Sequence, residues 1–140
     1  GMALQLAVIE DRKQYQKDIP AEQLAERERR PVPFQVIINP KIVEYAGEEV
    51  TFFEGCLSVA GFSAMVARSR VVRVECLNER GKLQRMEASG WYARILQHEI
   101  DHLQGTLYID RMHTRSFTSM DNWAKYSKGK SIKEIRAAYK

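Results

Sequence analysis

Residues 89–105 read SGWYARILQHEIDHLQG and predict a helix together with both of its ends. Ser89 is a residue type favoured at the N-cap, and Gly105 stands where a C′ glycine ends a helix. Between them, apolar residues and histidines recur at spacings of three and four residues: Trp91, Ile95, His98, Ile100, His102 and Leu103. The stretch therefore predicts one amphipathic helix.

Short β-rich runs surround this helix in the sequence. They cover residues 4–9, 34–38, 42–45, 50–53, 64–66, 71–77 and 83–88, and a further short strand is predicted at 107–109. Turns are predicted at 39–40, 46–47 and 78–81, and residues 10–33 read as a charged surface loop with a helical turn over Ala21–Arg29. The order predicts an α+β fold, in which antiparallel β-sheets pack around one central helix.

Composition predicts one domain with a basic C-terminal tail. The chain has 140 residues, 44% of them hydrophobic, and no apolar run approaches the ~20 residues of a membrane span. No secretory signal opens the chain, so we expect an intracellular protein whose two cysteines are reduced. We predict a domain over residues 1–123 and a tail over 124–140.

The basic charge of the chain belongs to the tail. Its six lysines and arginines outnumber one acid, Glu134, so residues 124–140 carry +5 while residues 1–123 sum to −1. A basic segment of this kind contacts nucleic acid or a ribosomal surface, or it is a solvated, partly helical terminus.

His98, Glu99 and His102 form the pattern that carries chemistry. Two histidines at i and i+4 project from one helix face, so both reach one metal ion, and Glu99 is placed to act on a water there. A catalytic metal takes three protein ligands and one open position. The third ligand is open between Cys56, Cys76, His113 and the acids, although Cys76 reads as a buried strand residue and His113 as a surface residue. The alternative is a polar helix face without a metal.

Two motifs together resemble peptide deformylase. Gly55-Cys56-Leu57-Ser58 follows a glutamate, and QHEIDHLQG at 97–105 comes some forty residues later. Residues 59–62, 89–91 and 93–95 resemble the branch that includes the mitochondrial and plastid enzymes. The resemblance is strong over residues 50–112, extends over 2–49 and does not reach the basic tail.

The resemblance implies a metal site and a substrate. Cys56, His98 and His102 are expected to bind one divalent ion, natively Fe(II), which zinc, nickel or cobalt replaces in isolated protein. Glu99 is expected to move the proton of a water that attacks the formyl carbon, and the Leu57 N–H to donate to the oxyanion. The substrates implied are N-formyl-methionyl nascent peptides, in a peptide-deformylase-like fold.

Further residues are implied on the substrate side. The methionine side chain is expected to contact the stem of Glu54 and Gly55, with Trp91, Ile95 and the ring of His98; the alternative is that Trp91 and Ile95 are ordinary core. Arg68 matches a family arginine near the substrate backbone. Asp101 is expected to be a partner of the site and not a catalyst.

The resemblance also sets an expectation about what is missing. The family's first motif, G-x-G-L-A-A-x-Q, does not occur before the strand at Leu4. We therefore expect an impaired hydrolase and an unpaired sheet edge that favours a homodimer. The alternatives are a non-catalytic relative that binds metal or peptide and a ribosome-docking module. The expected location is a bacterial cytoplasm, or a mitochondrion or plastid after loss of a targeting segment.

Overall fold

The computed structural model describes residues 2–139. The strands are β1 Leu6–Asp11, β2 Val32–Glu54, β3 Phe62–Leu77, β4 Leu83–Ser89 and β5 Thr118–Ser119; the helices are α1 Ala21–Glu26, α2 Gly90–Leu103, α3 Met120–Tyr126 and α4 Ile132–Ala138. The sheet order is β1-β2-β3-β4, with β5 paired to β3. The pairs β1–β2, β3–β4 and β3–β5 are antiparallel. The predicted α+β class is confirmed.

Two of the predicted turns are wrong, because β2 is one strand of 23 residues that contains all three runs predicted between 34 and 53. Asn39 has φ 50° and Gly47 has φ 72°, so each position takes a left-handed backbone inside the strand without reversing the chain. The runs at 64–66 and 71–77 likewise belong to the single strand β3. The turn at 78–81 is confirmed, since the Gly81 N–H donates to the Asn78 carbonyl.

Helix α2 is confirmed at both ends. Ser89 occupies the N-cap position in extended backbone, although its side chain makes no capping hydrogen bond, and Gly105 has φ 75° after the last turn. The strand predicted at 107–109 is wrong. Residues 108–110 form a 3-10 turn, because the Asp110 carboxylate accepts the Leu107 N–H at 2.7 Å and closes the backbone.

The chain divides into two compact units, the first of which comprises Gly1–Glu49 and Ser69–Thr106. Its helix α2 packs against β1 and β4. The core is aliphatic, and its buried members are Ile9, Val32, Ile37, Val72, Val74, Cys76, Ala88, Ala93, Leu96 and Ile100. Apolar positions on one face of α2 therefore fix the helix on the sheet.

The second unit comprises Val50–Arg68 and Leu107–Lys140. Its apolar cluster is small, with Ala64, Val66 and Tyr108 buried. Most of the predicted tail belongs to this unit, and Ile135 of α4 is only 7% exposed, so the tail is not solvated along its whole length. No helix within residues 2–139 has the length and apolar character needed to cross a bilayer.

Candidate metal centre

Helix α2 presents its two histidines side by side. The ring centroids of His98 and His102 lie 4.6 Å apart, with the rings at 85° to one another. The helix begins at Gly90, where φ is 62° and a Cβ would approach the Glu28 carbonyl oxygen to 2.7 Å. Glycine is therefore required at the start of the helix that carries the imidazoles.

Gln97 anchors the helix beside His98. Its Oε1 accepts the Ser69 N–H at 3.1 Å, and its Nε2 donates to the Ser69 carbonyl at 2.8 Å and to the Ala93 carbonyl at 3.0 Å. The side chain is buried, so this paired hydrogen bonding to β3 fixes the rotation of α2. The sequence pattern predicts no role for Gln97, and the only available signal is that a glutamine directly precedes His98.

Cys56 lies at a sharp change of backbone direction. The residue is extended, with φ −147° and ψ 142°, and a 3-10 turn follows at Leu57–Val59. Its Sγ accepts the Ser58 N–H at 3.4 Å, which places a backbone dipole on the sulfur. The Leu57 side chain is 97% exposed, and its N–H is the first of the turn, a position that lacks a partner within the turn itself.

Cys56, His98 and His102 each offer one ligand atom, and these atoms all lie within 4.8 Å of one another. Ligand atoms around one tetrahedral ion lie roughly 3.3–3.8 Å apart, so small side-chain adjustments suffice for binding. One thiol and two imidazoles form a donor set that suits a borderline divalent transition metal. The three residues therefore fit such an ion.

Two acids lie on the same helix. Glu99, half-buried, follows the first histidine directly, while Asp101, 6% exposed, precedes the second. A half-buried carboxylate beside the ligand set keeps access to solvent and to a bound molecule. Asp101 is buried, and its role as a partner of the site stays a prediction.

Glu54 and Arg68 form a buried ion pair. The guanidinium Nε donates to Oε1 at 2.8 Å and NH2 donates to Oε2 at 2.9 Å, while both side chains are at most 4% exposed. A bidentate pair of this kind holds the carboxylate in one orientation. Gly55, the next residue along, is exposed. The structure thus pairs Glu54, which is predicted to contact the methionine side chain, with Arg68, which is predicted to lie near the substrate backbone.

Trp91 is surrounded by arginines. The guanidinium carbons of Arg27, Arg29 and Arg94 lie 5.4, 5.2 and 5.7 Å from its ring centroid. Burial lowers the pKa of Arg27, and the neighbouring charge of Arg29 lowers it further. Ile95 is half-buried and packs against the core of the first unit. These cationic contacts of Trp91 were not predicted from the sequence.

The two other candidate ligands lie where the sequence placed them. Cys76 is 2% exposed within β3, and burial raises the pKa of its thiol. His113 is exposed beside a 3-10 turn at Thr114–Ser116. Neither belongs to a group of metal-ligating side chains among the residues that the structure describes.

Comparison with known proteins gives a consistent result. A family model described as polypeptide deformylase matches residues 1–117. The chain is 47% identical over 122 residues to peptide deformylase 1A, chloroplastic, of Solanum lycopersicum, covering 87% of this chain and 44% of that protein. It is 42% identical over 125 residues to the mitochondrial peptide deformylase of Homo sapiens, covering 89% and 51%. The chain therefore spans about half the length of these curated relatives.

Solved structures agree with the fold. A peptide deformylase from Synechococcus elongatus in complex with actinonin is 45% identical, with a TM-score of 0.58 over 60% of this chain and 46% of that one. A class I type b enzyme from Acinetobacter baumannii with Met-Ala-Ser bound is 30% identical, with a TM-score of 0.64 over 77% of this chain and 62% of that one. Relatives include chloroplastic, mitochondrial and bacterial proteins.

Proposed function

The chain belongs to the polypeptide deformylase family, and from that premise we propose that it removes the N-formyl group from the N-terminal methionine of nascent polypeptides. The observation that carries the proposal is the convergence of the Cys56, His98 and His102 ligand atoms within 4.8 Å. Glu99 on the same helix supplies a group for proton transfer next to these ligands.

Cys56, His98 and His102 hold the cofactor in this proposal. It is one divalent ion, Fe(II) in the cell, with zinc, nickel or cobalt as substitutes in isolated protein. When bound, the ion supplies Lewis acidity, which lowers the pKa of a coordinated water and polarises a carbonyl oxygen. The Ser58 N–H donating to Sγ supports the same assignment, because it stabilises negative charge on the sulfur.

Glu99 and Leu57 act on the reacting atoms. Glu99 accepts a proton from the attacking water as its oxygen bonds to the formyl carbon, then delivers that proton to the amine nitrogen as the C–N bond breaks. The products are formate and a free N-terminal methionine. The Leu57 N–H donates to the oxygen that becomes negatively charged, and its position at the start of the 3-10 turn leaves it available.

The substrate side chain lies against Glu54, Gly55, Trp91 and Ile95 in this proposal. The stem of Glu54 offers apolar surface, because Arg68 holds its carboxylate in a bidentate pair. Arg68 is itself 4% exposed, which favours a role in fixing Glu54 over direct contact with the peptide backbone. Trp91 combines a large apolar face with the surrounding cationic groups.

The proposal extends to the binding partners of the protein and to its cellular location. Residues 124–140 dock on an anionic ribosomal surface, and binding weakens steeply with salt because the lysines and arginines release counterions. A homodimer forms through the edge strand β1, where Val8 is 53% exposed and Phe34 on β2 is 62% exposed. The protein works in a bacterial cytoplasm or in an organelle of bacterial ancestry.

An anaerobic assay on formyl-Met-Ala-Ser with Fe(II)- or Ni(II)-loaded protein tests the activity. We expect turnover by the native chain and a roughly 10²–10⁴-fold lower kcat for Glu99→Gln with its metal retained, since a positioned general base contributes about that factor. The matched control is Glu87→Gln, which removes a carboxylate that is 58% exposed on β4. It is expected to keep full activity.

Metal analysis separates the two parts of the proposal. Cys56→Ser is expected to lose bound ion relative to the native chain, whereas Cys76→Ser keeps it. A native chain that binds metal but shows no turnover is the non-catalytic relative that the sequence left open. Undiminished metal in Cys56→Ser contradicts the ligand assignment.

A further inference from the structure

A cavity lies within the second unit and plays no part in the proposed deformylation. Its volume is about 600 Å³, and its lining includes Met65, Met112, His113, Arg115, Arg136 and Tyr139. Small-molecule sites in proteins have volumes of roughly 300–1,000 Å³. The cavity therefore has the size of a site for a ligand as large as a nucleoside monophosphate.

The lining is cationic. Arg115, Arg136 and His113 contribute basic groups, and no aspartate or glutamate among residues 2–139 lines the cavity. The Arg115 side chain is exposed and forms no hydrogen bond or ion pair with any residue between 2 and 139. Two guanidiniums without an internal counter-charge favour a ligand with a planar or tetrahedral anionic group.

One of these cations is held in place by the protein. The Arg136 NH2 group donates to the Thr51 hydroxyl, and Thr51 is 5% exposed. A guanidinium has five N–H donors, so this contact fixes its orientation and leaves further donors for a ligand. An oriented donor loses less conformational entropy on binding than a mobile one.

The remaining wall is apolar and firmly supported. Met65 is 5% exposed, and its carbonyl accepts the His113 N–H at 2.9 Å. The buried Ser116 hydroxyl accepts the Met65 N–H at 2.8 Å and donates to the His113 carbonyl at 2.6 Å. Residues 113–116 are thereby tied to β3, while Met65 and Met112 adapt their shape to an apolar group.

We propose that this cavity binds a small organic anion. Its phosphate or carboxylate group pairs with Arg115 and Arg136, and its flat or aliphatic body lies against Met65, Met112 and Tyr139. A free inorganic anion is expected to bind more weakly, because it leaves the apolar wall unused.

Calorimetric titration of the full chain tests the site with AMP, 3-phenylpropionate, inorganic phosphate and adenosine. We expect saturable binding of AMP, of phenylpropionate or of both, weaker binding of phosphate and adenosine, and an affinity that falls with added salt. Binding of AMP alone identifies a phosphate ligand, and binding of phenylpropionate alone identifies a carboxylate ligand.

Arg115→Glu is the decisive variant, since the exposed Arg115 side chain forms no hydrogen bond or ion pair with residues 2–139. It is expected to weaken anion binding by about tenfold or more, because a hydrogen bond to a charged group is lost and a repulsion is added. Arg85→Glu, on an exposed arginine of β4, matches the change in net charge and is expected to bind as the native chain does. Failure of every probe to saturate at millimolar concentration overturns the proposal, as does unchanged binding by Arg115→Glu.

Discussion

The two units have different interiors. Among residues 2–139, ten buried side chains of the first unit form one mainly aliphatic cluster, whereas the buried cluster of the second unit has three. In the second unit, polar groups take a larger part: the Glu54–Arg68 pair is buried, the Ser63 hydroxyl donates to the Glu54 carbonyl at 2.9 Å, and Ser116 links β3 to residue 113.

These interiors respond differently to change. Apolar packing contributes in proportion to the area and volume removed, so its losses are graded. A buried polar network contributes only while each member has its partner, because an unpaired buried group keeps its full desolvation cost. Small substitutions within the aliphatic cluster of the first unit are therefore expected to cost less than the loss of one partner from the buried polar network of the second.

Arg68→Ala is the strongest test of this contrast. It leaves the Glu54 carboxylate buried without its bidentate partner, and we expect a loss of about 3–5 kcal/mol in the free energy of unfolding. The double variant Arg68→Met/Glu54→Leu is expected to recover much of that loss, since an apolar pair of similar volume replaces both charges. Urea denaturation measures both. A single variant as stable as the native chain would mean that the pair contributes nothing.

Leu96→Ala tests the apolar interior. Leu96 is fully buried on α2, and we expect a loss of about 2–5 kcal/mol from lost burial and the cavity left behind. Leu96→Met, which nearly conserves volume, is expected to cost less than about 1.5 kcal/mol. Equal losses in the free energy of unfolding for Leu96→Ala and Leu96→Met would contradict a cost that grows with the volume removed. Leu83→Ala, at a residue 61% exposed, serves as the surface control.

Two tyrosines, one in each unit, allow a matched comparison of single hydroxyl groups. The Tyr92 hydroxyl accepts from Gln35 Nε2 at 2.7 Å and donates to Met86 Sδ at 3.3 Å. The buried Tyr108 hydroxyl has no partner within residues 2–139. We expect Tyr92→Phe to cost about 0.5–1.5 kcal/mol and Tyr108→Phe to leave stability equal or higher. A larger loss for Tyr108→Phe indicates that a water satisfies its hydroxyl.

The same phenols make stability depend on alkaline pH. Burial raises the pKa of Tyr92 and of Tyr108 in the folded chain. The unfolded chain then releases its phenolic protons first, so the neutral phenols contribute full stability below about pH 10 and progressively less above it. We expect the Tyr108→Phe variant to lose less stability than the native chain between neutral and alkaline pH. Parallel pH profiles contradict this expectation.

Arg70→Ala is expected to have the smallest effect. Arg70 forms a bidentate pair with Glu28 in the first unit, at 2.6 and 2.7 Å, yet the side chains are 44% and 41% exposed. Solvent screens an exposed pair, so we expect a loss below about 1 kcal/mol. The hydrogen bond from Arg70 lowers the pKa of Glu28, so even this contribution disappears on acidification through the lowered pKa. A loss as large as that of Arg68→Ala would show that burial does not distinguish the pairs.

Local signals account for what the sequence predicted well. The period of α2 and the residues at its ends lie within 17 positions, so the helix and the spacing of His98 and His102 were predictable. The continuous strand β2 was not, because Asn39 and Gly47 are typical turn residues and only tertiary pairing keeps the strand extended through them. Two of the three arginines around Trp91 are Arg27 and Arg29, which lie far from Trp91 in the sequence. No local pattern therefore predicts these contacts.

In the candidate site, too, local sequence predicts some features and tertiary structure determines the others. The spacing of the histidines follows from one helix, whereas Cys56 entered the ligand set through resemblance to a family, since its place depends on the fold. The pairing of Glu54 with Arg68 joins residues on two strands, and periodicity carries no information about it.

Cys76 offers a measure of how often the first unit opens. Its thiol is 2% exposed near the C-terminal end of β3, and burial raises its pKa, which disfavours the reactive thiolate. An alkylating reagent requires both access and a thiolate, so it modifies Cys76 only in molecules whose sheet has opened. Cys56, a proposed metal ligand, is half-buried, so the Cys56→Ser variant isolates the reaction of Cys76. The rate at which Cys76 is alkylated therefore reports how often the core of the first unit opens under native conditions.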